Sequence, residues 1–516
     1  MKVLLIVPTF HYADSYPTFL SFSDFPTGLG YLTSSLKQAG HTVVGFNPNN
    51  ITGYVSAPVM LKDTLAKCLK ENKDAGLIGL TGLATDYAFL KDAIAIIRAN
   101  SKTPIVLGGQ IVTNDAEFIF ENLKPDYAVV GEGERLILSV IEDIQDMKTN
   151  TRIFRNDDPR PIDEIPFPDY TPFGIENMMD NYSDATRVLY RYSRPYPRVW
   201  GIVTARSCPF ACTFCVHTHR PIPYRARSIE NIMQEIKETY EKYHYNILLI
   251  LDELFAVNKK RMREFCEAVL EGKTKYGWDF DWTFQTHASA ALDLETLHLA
   301  KKAGCYMFSY GLESASPTVL ESMNKKMKIE QVVEGIQLAK EAGIGYSANL
   351  IFGDPAETDE TFRESYAFWV KYGKDAFIFL SKISPYPGSK IFDDCMERGL
   401  IKDKAQFYET IDRTFINMSQ MSDLDFAHRS EFLAVSERSW LMTNATATSK
   451  WEEDPEGIDS PLTPFMGKHY KIWALCPHCT IEIMFRQRLL RPNKLFFMGL
   501  GCPRCGGKFR MDVVMS

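Results

Sequence analysis

No apolar stretch in this 516-residue chain approaches the roughly 20 residues that a membrane-spanning helix needs. The run 3–7 is short, ends at Pro8 and lacks a small-residue cleavage site. It reads as a buried strand and not as an export signal. A basic excess is missing too: 58 Lys and Arg stand against 65 Asp and Glu, a formal net charge of −7. A nucleic-acid-binding face needs clustered Lys and Arg, so no clear nucleic-acid partner is expected. There is no internal repeat and no low-complexity tract. Cysteine is almost absent from the first 207 residues, where Cys68 stands alone. The total of eleven is odd, and seven fall in metal-ligand spacings. That usage excludes a disulfide framework and points to a reduced, cytoplasmic setting.

What is present is alternation. Short apolar runs at 3–7, 42–46, 77–80, 105–107 and 127–130 read as strands. Amphipathic stretches at 28–39, 61–71, 88–100, 116–122 and 134–147 read as helices. Near-continuous apolar strands separated by helices predict an α/β fold, here a doubly wound, Rossmann-like parallel sheet over 1–147. Seven prolines punctuate 148–198, which reads as an extended connector. A second alternating series runs over 199–400. Its strands are expected at 199–203, 247–251, 282–286, 306–310, 344–350 and 376–381. Its helices are expected at 229–243, 259–273, 294–303, 329–342, 359–372 and 390–398. Six strand–helix units predict a partial (β/α)6 barrel of the TIM type, with its active residues at the C-terminal ends of strands. Residues 401–470 read as a helical and mixed extension with a linker, and 471–516 as a small cysteine module.

Cys208, Cys212 and Cys215 follow the first barrel strand in the spacing C-x-x-x-C-x-x-C. Three thiolates on one tight loop suit a cuboidal iron–sulfur cluster with one iron free of protein. The alternative, a zinc knuckle, needs a fourth ligand such as His217 or His219. With its strand context the triplet resembles the radical S-adenosylmethionine (radical SAM) enzymes. So do Tyr224-Arg225-Ala226-Arg227-Ser228, Leu251-Asp252-Glu253-Leu254-Phe255, Gly311-Leu312-Glu313-Ser314 and Pro385-Tyr386-Pro387-Gly388-Ser389. The resemblance implies a 4Fe-4S cluster on Cys208, Cys212 and Cys215, with S-adenosylmethionine (SAM) on the open iron. It places Phe214 near the adenine and offers Glu253, Ser309, Glu313 and Asn349 as SAM contacts, against core hydrogen bonding as the plainer role. His287 ends the third strand, either as a substrate contact or as a satisfied interior histidine.

In a radical SAM chain, the phrase Phe25-Pro26-Thr27-Gly28-Leu29-Gly30-Tyr31-Leu32 resembles a cobalamin-binding domain. So do Leu80-Thr81-Gly82, Gly108-Gly109-Gln110 and Val130-Gly131-Glu132-Gly133-Glu134. Thr27, Gly28, Leu29, Gly30, Thr81, Gly82, Gly108, Gly109, Gln110, Gly131, Glu132 and Gly133 are the implied cobalamin contacts. The Asp-x-His-x-x-Gly motif of many cobalamin proteins is missing. His11 lies near its place without the flanking Asp and Gly, so cobalt without a protein ligand below it is expected.

Cys476, Cys479, Cys502 and Cys505 form two C-x-x-C knuckles that resemble a zinc ribbon, with structural zinc expected and iron as the alternative. His478 is not expected to ligate. The basic residues Arg486, Arg488, Arg491, Lys494, Arg504, Lys508 and Arg510 read as an anion contact or a solvated face. The resemblance implies a methyltransferase that moves a methyl group from SAM through methylcobalamin to an unactivated carbon of a small-molecule or peptide substrate. A reducing protein such as flavodoxin or ferredoxin supplies its electrons. The alternatives are a non-methylating ring or carbon-skeleton change and a non-catalytic cobalamin or metal sensor.

Overall fold

The structure, a computed structural model, describes residues 1–9, 12, 25–51, 56–146, 151–155, 161–181, 189–190, 193–216, 223–290, 292–373, 376–411, 413–440, 446–447, 449–456, 468–489, 496–502, 504–505 and 507–513. His11 and the histidines 217 and 219 lie outside them. Two compact units emerge: Met1–Ala185 with Cys215–Pro221 and Pro385–Phe415, and Thr186–Phe214 with Ile222–Ser384 and Ile416–Ser516.

In the first unit, strands and helices alternate: β1 (Lys2–Ile6), α1 (Thr27–Gln38), β2 (Thr42–Phe46), α2 (Ala57–Glu71), β3 (Leu77–Thr81), α3 (Tyr87–Asn100), β4 (Ile105–Gly108), α4 (Gln110–Leu123), β5 (Tyr127–Val130), α5 (Gly133–Asp146) and β6 (Ile153–Arg155). All strands pair in parallel in the order β2-β1-β3-β4-β5-β6. Such a sheet is covered on both faces, which is why Val3, Leu4, Leu5, Leu77, Ile105, Leu107 and Val130 are fully buried. The helix expected at 116–122 begins earlier, at Gln110, and bends at Asp115 (φ −153°, ψ 54°).

The stretch 148–198, read as an extended connector, contains regular elements. Within it Ile153–Arg155 adds a sixth strand to the sheet and α6 (Ile175–Asn181) follows. Short strand-forming triplets carry no periodic signal, so only pairing reveals them. Residues 385–415, read as the end of the barrel and start of the extension, pack with the first unit. The Tyr408 hydroxyl donates to Asp115 at 2.9 Å, and its ring stacks on Phe118 at 5.2 Å.

The second unit opens with β7 (Leu189–Tyr190) and holds the barrel: β8 (Val199–Ile202), the short β9 (Ala205–Arg206) and β10 (Arg225–Ala226), α7 (Ile229–Tyr243), β11 (Ile247–Ile250), α8 (Lys259–Tyr276), β12 (Asp281–Thr286), α9 (Leu294–Ala303), β13 (Cys305–Glu313), α10 (Pro317–Ser322), α11 (Ile329–Ala342), β14 (Gly345–Phe352), α12 (Asp359–Phe368) and β15 (Phe377–Lys382). The six long strands are parallel and sequential, β8-β11-β12-β13-β14-β15. Helices cap as their sequences direct: Ser228, Asn258, Asp293 and Thr358 each accept a backbone N–H three residues on. The expected helix 359–372 ends at Phe368 and passes into a π turn at Trp369–Gly373, where the Trp369 indole donates to the Ile378 carbonyl at 2.9 Å.

After α13 (Lys390–Glu397), α14 (Lys404–Thr410) and α15 (Asp423–Trp440) come the strands β16 (Thr446–Ala447), β17 (Ser449–Glu453), β18 (Lys468–Leu475), β19 (Glu482–Leu489), β20 (Phe496–Gly501) and β21 (Lys508–Val513). They form sheets ordered β17-β18-β19 and β16-β21-β20-β7. The extension and linker expected over 401–470 thus contain strands β16 and β17. Strand β7 of the connector is recruited into the cysteine module through Gly499 and Leu500.

Candidate active site

The loop that carries the cysteine triplet is closed at its neck by four sets of contacts. Strands β9 and β10 pair antiparallel, Arg206 with Arg225 and Ala205 with Ala226. Thr204, fully buried after β8, donates its backbone N–H (2.6 Å) and its hydroxyl (2.5 Å) to Asp252 at the end of β11. Burial pushes the Asp252 carboxyl up to about 6, against the pull of those donors. Arg227 forms a buried ion pair with Glu235 of α7 and reaches back to the Val203 carbonyl at 2.9 Å. Arg261 of α8 donates to the carbonyls of Thr204 (3.1 Å) and Arg227 (2.9 Å), tying both ends of the loop together.

Farther out, Thr213 N–H donates to the Met323 carbonyl at 3.0 Å, and the Asn324 amide to the Ala211 carbonyl at 2.8 Å. Cys208 is half-buried and Cys212 is buried. Burial raises the Cys208 thiol, and the charges of Glu253 and Cys212 add to this. Ser207, just before Cys208, and Glu313, at the end of β13, hold left-handed backbone at φ 68° and 62°. Strain of that kind at non-glycine residues gathers at functional sites.

Of the residues expected around SAM, Glu253 follows β11 and Glu313 ends β13, whereas Ser309 and Asn349 lie inside β13 and β14 and Phe214 lies in the cysteine loop. Phe214 has the Lys325 ammonium 5.7 Å from its ring, and the same ammonium bonds the Glu313 carboxylate at 3.1 Å. Lys325 therefore links two of the expected contacts, a role that spacing did not reveal. Trp282, Phe284 and Phe308 turn toward the helix layer, where Trp282 meets Phe265 of α8 at 5.0 Å. The alternate residues face the other way. Gln285, Ser309 and Ser347 stand side by side in register, and Asn349 lies two residues on. Gln285, Asn349 and Glu253 stay exposed among buried neighbours. Gln285 and Ser347 went unnoticed in the sequence, although period-two alternation marks them. His287 is buried and stacks on Phe210, inside the cysteine loop, at 4.1 Å. Burial, with the Lys325 charge adding, pushes its pKa down to about 4, so the ring is neutral at pH 7.

In the first unit, Thr81-Gly82, Gly108-Gly109-Gln110 and Gly131-Glu132-Gly133 end three adjacent strands and form one continuous rim. Open α/β sheets bind ligands there. The Ile111 N–H donates to the Gly82 carbonyl at 3.1 Å, and the Gly131 N–H to the Thr113 hydroxyl at 3.0 Å. Gly109 needs its lack of side chain for this turn: at φ 88° an added Cβ would lie 2.5 Å from the Thr81 hydroxyl. At Thr27-Gly28-Leu29-Gly30 the residues divide. Gly28 is open, with nothing within 4 Å of an added Cβ, whereas Leu29 is only 2% exposed and turns into the core. The bare Gly30 admits Tyr170, whose ring would lie 2.4 Å from a Cβ there, so its reason is protein packing.

Cys476, Cys479, Cys502 and Cys505 converge, with ligand atoms all within 4.8 Å of one another. They are the one such group among the described residues. His478 is turned away and bonds the Lys508 carbonyl at 2.9 Å. Of the nearby basic residues, Arg486 pairs with buried Asp454 at 2.8 Å and Lys508 is buried, so both are structural.

Two buried hydroxyls stand out on the loops after β1 and β8. The Tyr224 hydroxyl, within the cysteine loop, and the Thr9 hydroxyl, just beyond β1, are buried without a hydrogen-bond partner among the described residues. Each leaves an unmet polar atom where a bound group would meet it.

A sequential parallel barrel with three thiols on the loop after its first strand, in one chain with a parallel sheet whose strand ends form a glycine rim, defines a radical enzyme carrying a corrinoid domain. Comparison agrees: residues 202–368 match the Radical SAM superfamily and residues 24–141 the B12 binding domain. The chain is a cobalamin-dependent radical SAM enzyme. It is 27% identical over 435 residues to an uncharacterized methyltransferase of Pyrococcus horikoshii, covering 80% of this chain and 87% of that one. It is 26% identical over 433 residues to the anaerobic magnesium-protoporphyrin IX monomethyl ester cyclase of Cereibacter sphaeroides, covering 79% and 66%. Its fold resembles that of the radical SAM methyltransferase TsrM of Kitasatospora setae, solved with cobalamin and a [4Fe-4S] cluster. The TM-score is 0.58 at 17% identity, covering 78% of this chain and 75% of that one. Among the described residues no helix is long and apolar enough to cross a membrane.

Proposed function

We propose that this enzyme transfers a methyl group from SAM, by way of cobalamin, to an unactivated carbon of a small-molecule or peptide substrate. The observation that carries this reading is the union of a B12 binding domain and a Radical SAM domain in one chain. The Pyrococcus horikoshii relative, which shares most of the chain's length, bears the name methyltransferase. When bound, the cluster supplies the electron that splits SAM, and the corrinoid carries the methyl group.

The chain's own residues do the rest. Cys208, Cys212 and Cys215 hold the cluster, and the closed loop neck fixes where it sits. Glu253, Ser309 and Asn349 hold polar groups of SAM, while Phe214 packs against its adenine. Glu313 is already engaged by Lys325, which also lies over the Phe214 ring. The rim at 81–82, 108–110 and 131–133 presents backbone to the corrinoid. Cys476, Cys479, Cys502 and Cys505 hold zinc, which closes the C-terminal hairpins. A flavodoxin- or ferredoxin-like protein supplies electrons. Eleven free cysteines suit the reducing cytoplasm.

The test is an anaerobic incubation of the reconstituted, reduced enzyme with candidate substrates and methyl-labelled SAM. Label in the product, with a mass gain of one methylene unit, supports the reading. Deoxyadenosine formed without label in any product overturns it. That second outcome favours a ring-forming or carbon-skeleton reaction, to which the cyclase relative lends support.

A further inference from the structure

The cysteine loop contains a hydroxyl whose role neither the spacing nor the comparisons assign. Tyr224 directly precedes the two-residue ladder at the loop neck, in which Arg225 faces Arg206. The ladder's next position outward is therefore Tyr224 opposite Ser207, the residue before Cys208. The left-handed turn at Ser207 ends the ladder there and swings the chain toward the cysteines. Although the Tyr224 residue is only half-buried, its hydroxyl oxygen is sealed from solvent and has no hydrogen-bond partner among the described residues. The ionisable groups that act on it are Arg261, Asp252 and Cys208. Asp252 and the terminal nitrogens of Arg261 are engaged elsewhere, and the remaining Arg261 Nε, itself without a hydrogen-bond partner among the described residues, makes no hydrogen bond to the Tyr224 hydroxyl. Asp252 accepts from Thr204, and the Arg261 guanidinium donates to the carbonyls of Thr204 and Arg227. Cys208 is the one whose sulfur the metal cluster takes up.

A buried hydroxyl without a partner loses the hydrogen bonds water gave it and gains none in return. Such a group persists where something it serves completes the site. A tyrosine hydroxyl donates well to a negatively charged sulfur, and thiolate or sulfide in an iron–sulfur cluster is such an acceptor. We propose that the Tyr224 hydroxyl donates a hydrogen bond to the sulfur shell of the cluster on the Cys208 side. It thereby stabilises the reduced, more negatively charged form and raises the cluster's reduction potential. The proposal rests on the reading of Cys208, Cys212 and Cys215 as cluster ligands, but not on methyl transfer. Phenylalanine at 224 keeps the ring and removes only the donor, so it isolates the bond.

The experiment compares wild type, Tyr224→Phe and Tyr245→Phe, each purified and reconstituted anaerobically as the full chain. Tyr245 is a buried barrel tyrosine whose hydroxyl is already bonded to the Ile236 carbonyl at 3.3 Å, so its variant controls for loss of any buried hydroxyl. The readout is the midpoint potential of the cluster, followed by the electron paramagnetic resonance signal during redox titration. Because the signal comes only from loaded protein, a variant that binds less iron is still measured. The expected result is a shift to more negative potential in Tyr224→Phe and none in Tyr245→Phe. A Tyr224→Phe potential equal to wild type, a shift in the positive direction, or a shift matched by Tyr245→Phe overturns the proposal. Failure of methyl transfer in wild type with the potential shift intact would sink only the functional reading.

Discussion

Single residues set the energetics of the cysteine loop. The Arg227–Glu235 pair is sealed from solvent, with side chains 3% and 0% exposed. Breaking such a pair leaves one charge buried and unpaired, which costs about 3–5 kcal/mol. Arg227→Met should destabilise the protein by that amount in urea denaturation, and a second change, Glu235→Leu, should recover most of it. Equal denaturation midpoints for wild type and Arg227→Met would refute this. Glu357, just beyond β14, makes a different case. Burial lifts its carboxyl to about 8, with Asp354 adding, while the Gly353 N–H it accepts from pulls the other way. The folded protein holds this proton more tightly than the unfolded chain, whose Glu titrates near 4.3. Its contribution to stability is therefore complete below that unfolded value, is lost as pH rises, and is gone above about 8. Glu357→Gln keeps the acceptor for Gly353 and should show a flatter loss of stability between about pH 5 and 8. Parallel stability–pH curves for the two proteins would contradict the assignment.

At the scale of elements, the loop works because its neck is closed by segments far apart in sequence. Residues 203–206 and 225–227 are joined by β9–β10, then braced from β11 by Asp252 and from α8 by Arg261. A thiolate triplet on an unbraced loop would sample many geometries, and metal affinity falls when ligands are not held. Thr204→Val removes one of the two donors to buried Asp252. Far-ultraviolet circular dichroism should stay unchanged, while iron is lost several-fold faster to a chelator under anaerobic conditions. Unchanged iron release would show that the brace does not matter to the cluster. The expected element pattern was readable because strand and helix periods are local. The sixth strand at Ile153–Arg155 and the C-terminal strand β17 were not, because each is recognised by a partner strand and not by its own pattern.

For the whole molecule, the C-terminal module is small, buries Ile472, Phe485 and Phe509, and brings four thiols together. Chelation under mild denaturant should release about one zinc per chain and lower the melting temperature of the transition that reports β18–β21. Cys479→Ser should mimic this while leaving the iron content of the reconstituted enzyme unchanged. A metal analysis that finds no zinc, or a melt indifferent to chelator, would remove zinc from this account. The neighbouring arginines and lysines show the limit of composition: a basic cluster read as an anion contact or a solvated face, yet Arg486 and Lys508 serve the fold.

The alternation of strands and helices in β1–β5 and in the barrel, the spacing of Cys208, Cys212 and Cys215 and the paired C-x-x-C knuckles were determined by the sequence alone. Each depends on spacing within a few residues or on a repeating local period. Tertiary structure alone decided which polar groups brace the cysteine loop, that Gly30 makes room for Tyr170, that Lys325 joins Phe214 to Glu313, and that 385–415 packs with the first unit. Those facts join residues up to some hundreds of positions apart. Burial and hydrogen-bond satisfaction select them, and neither leaves a periodic trace in the chain.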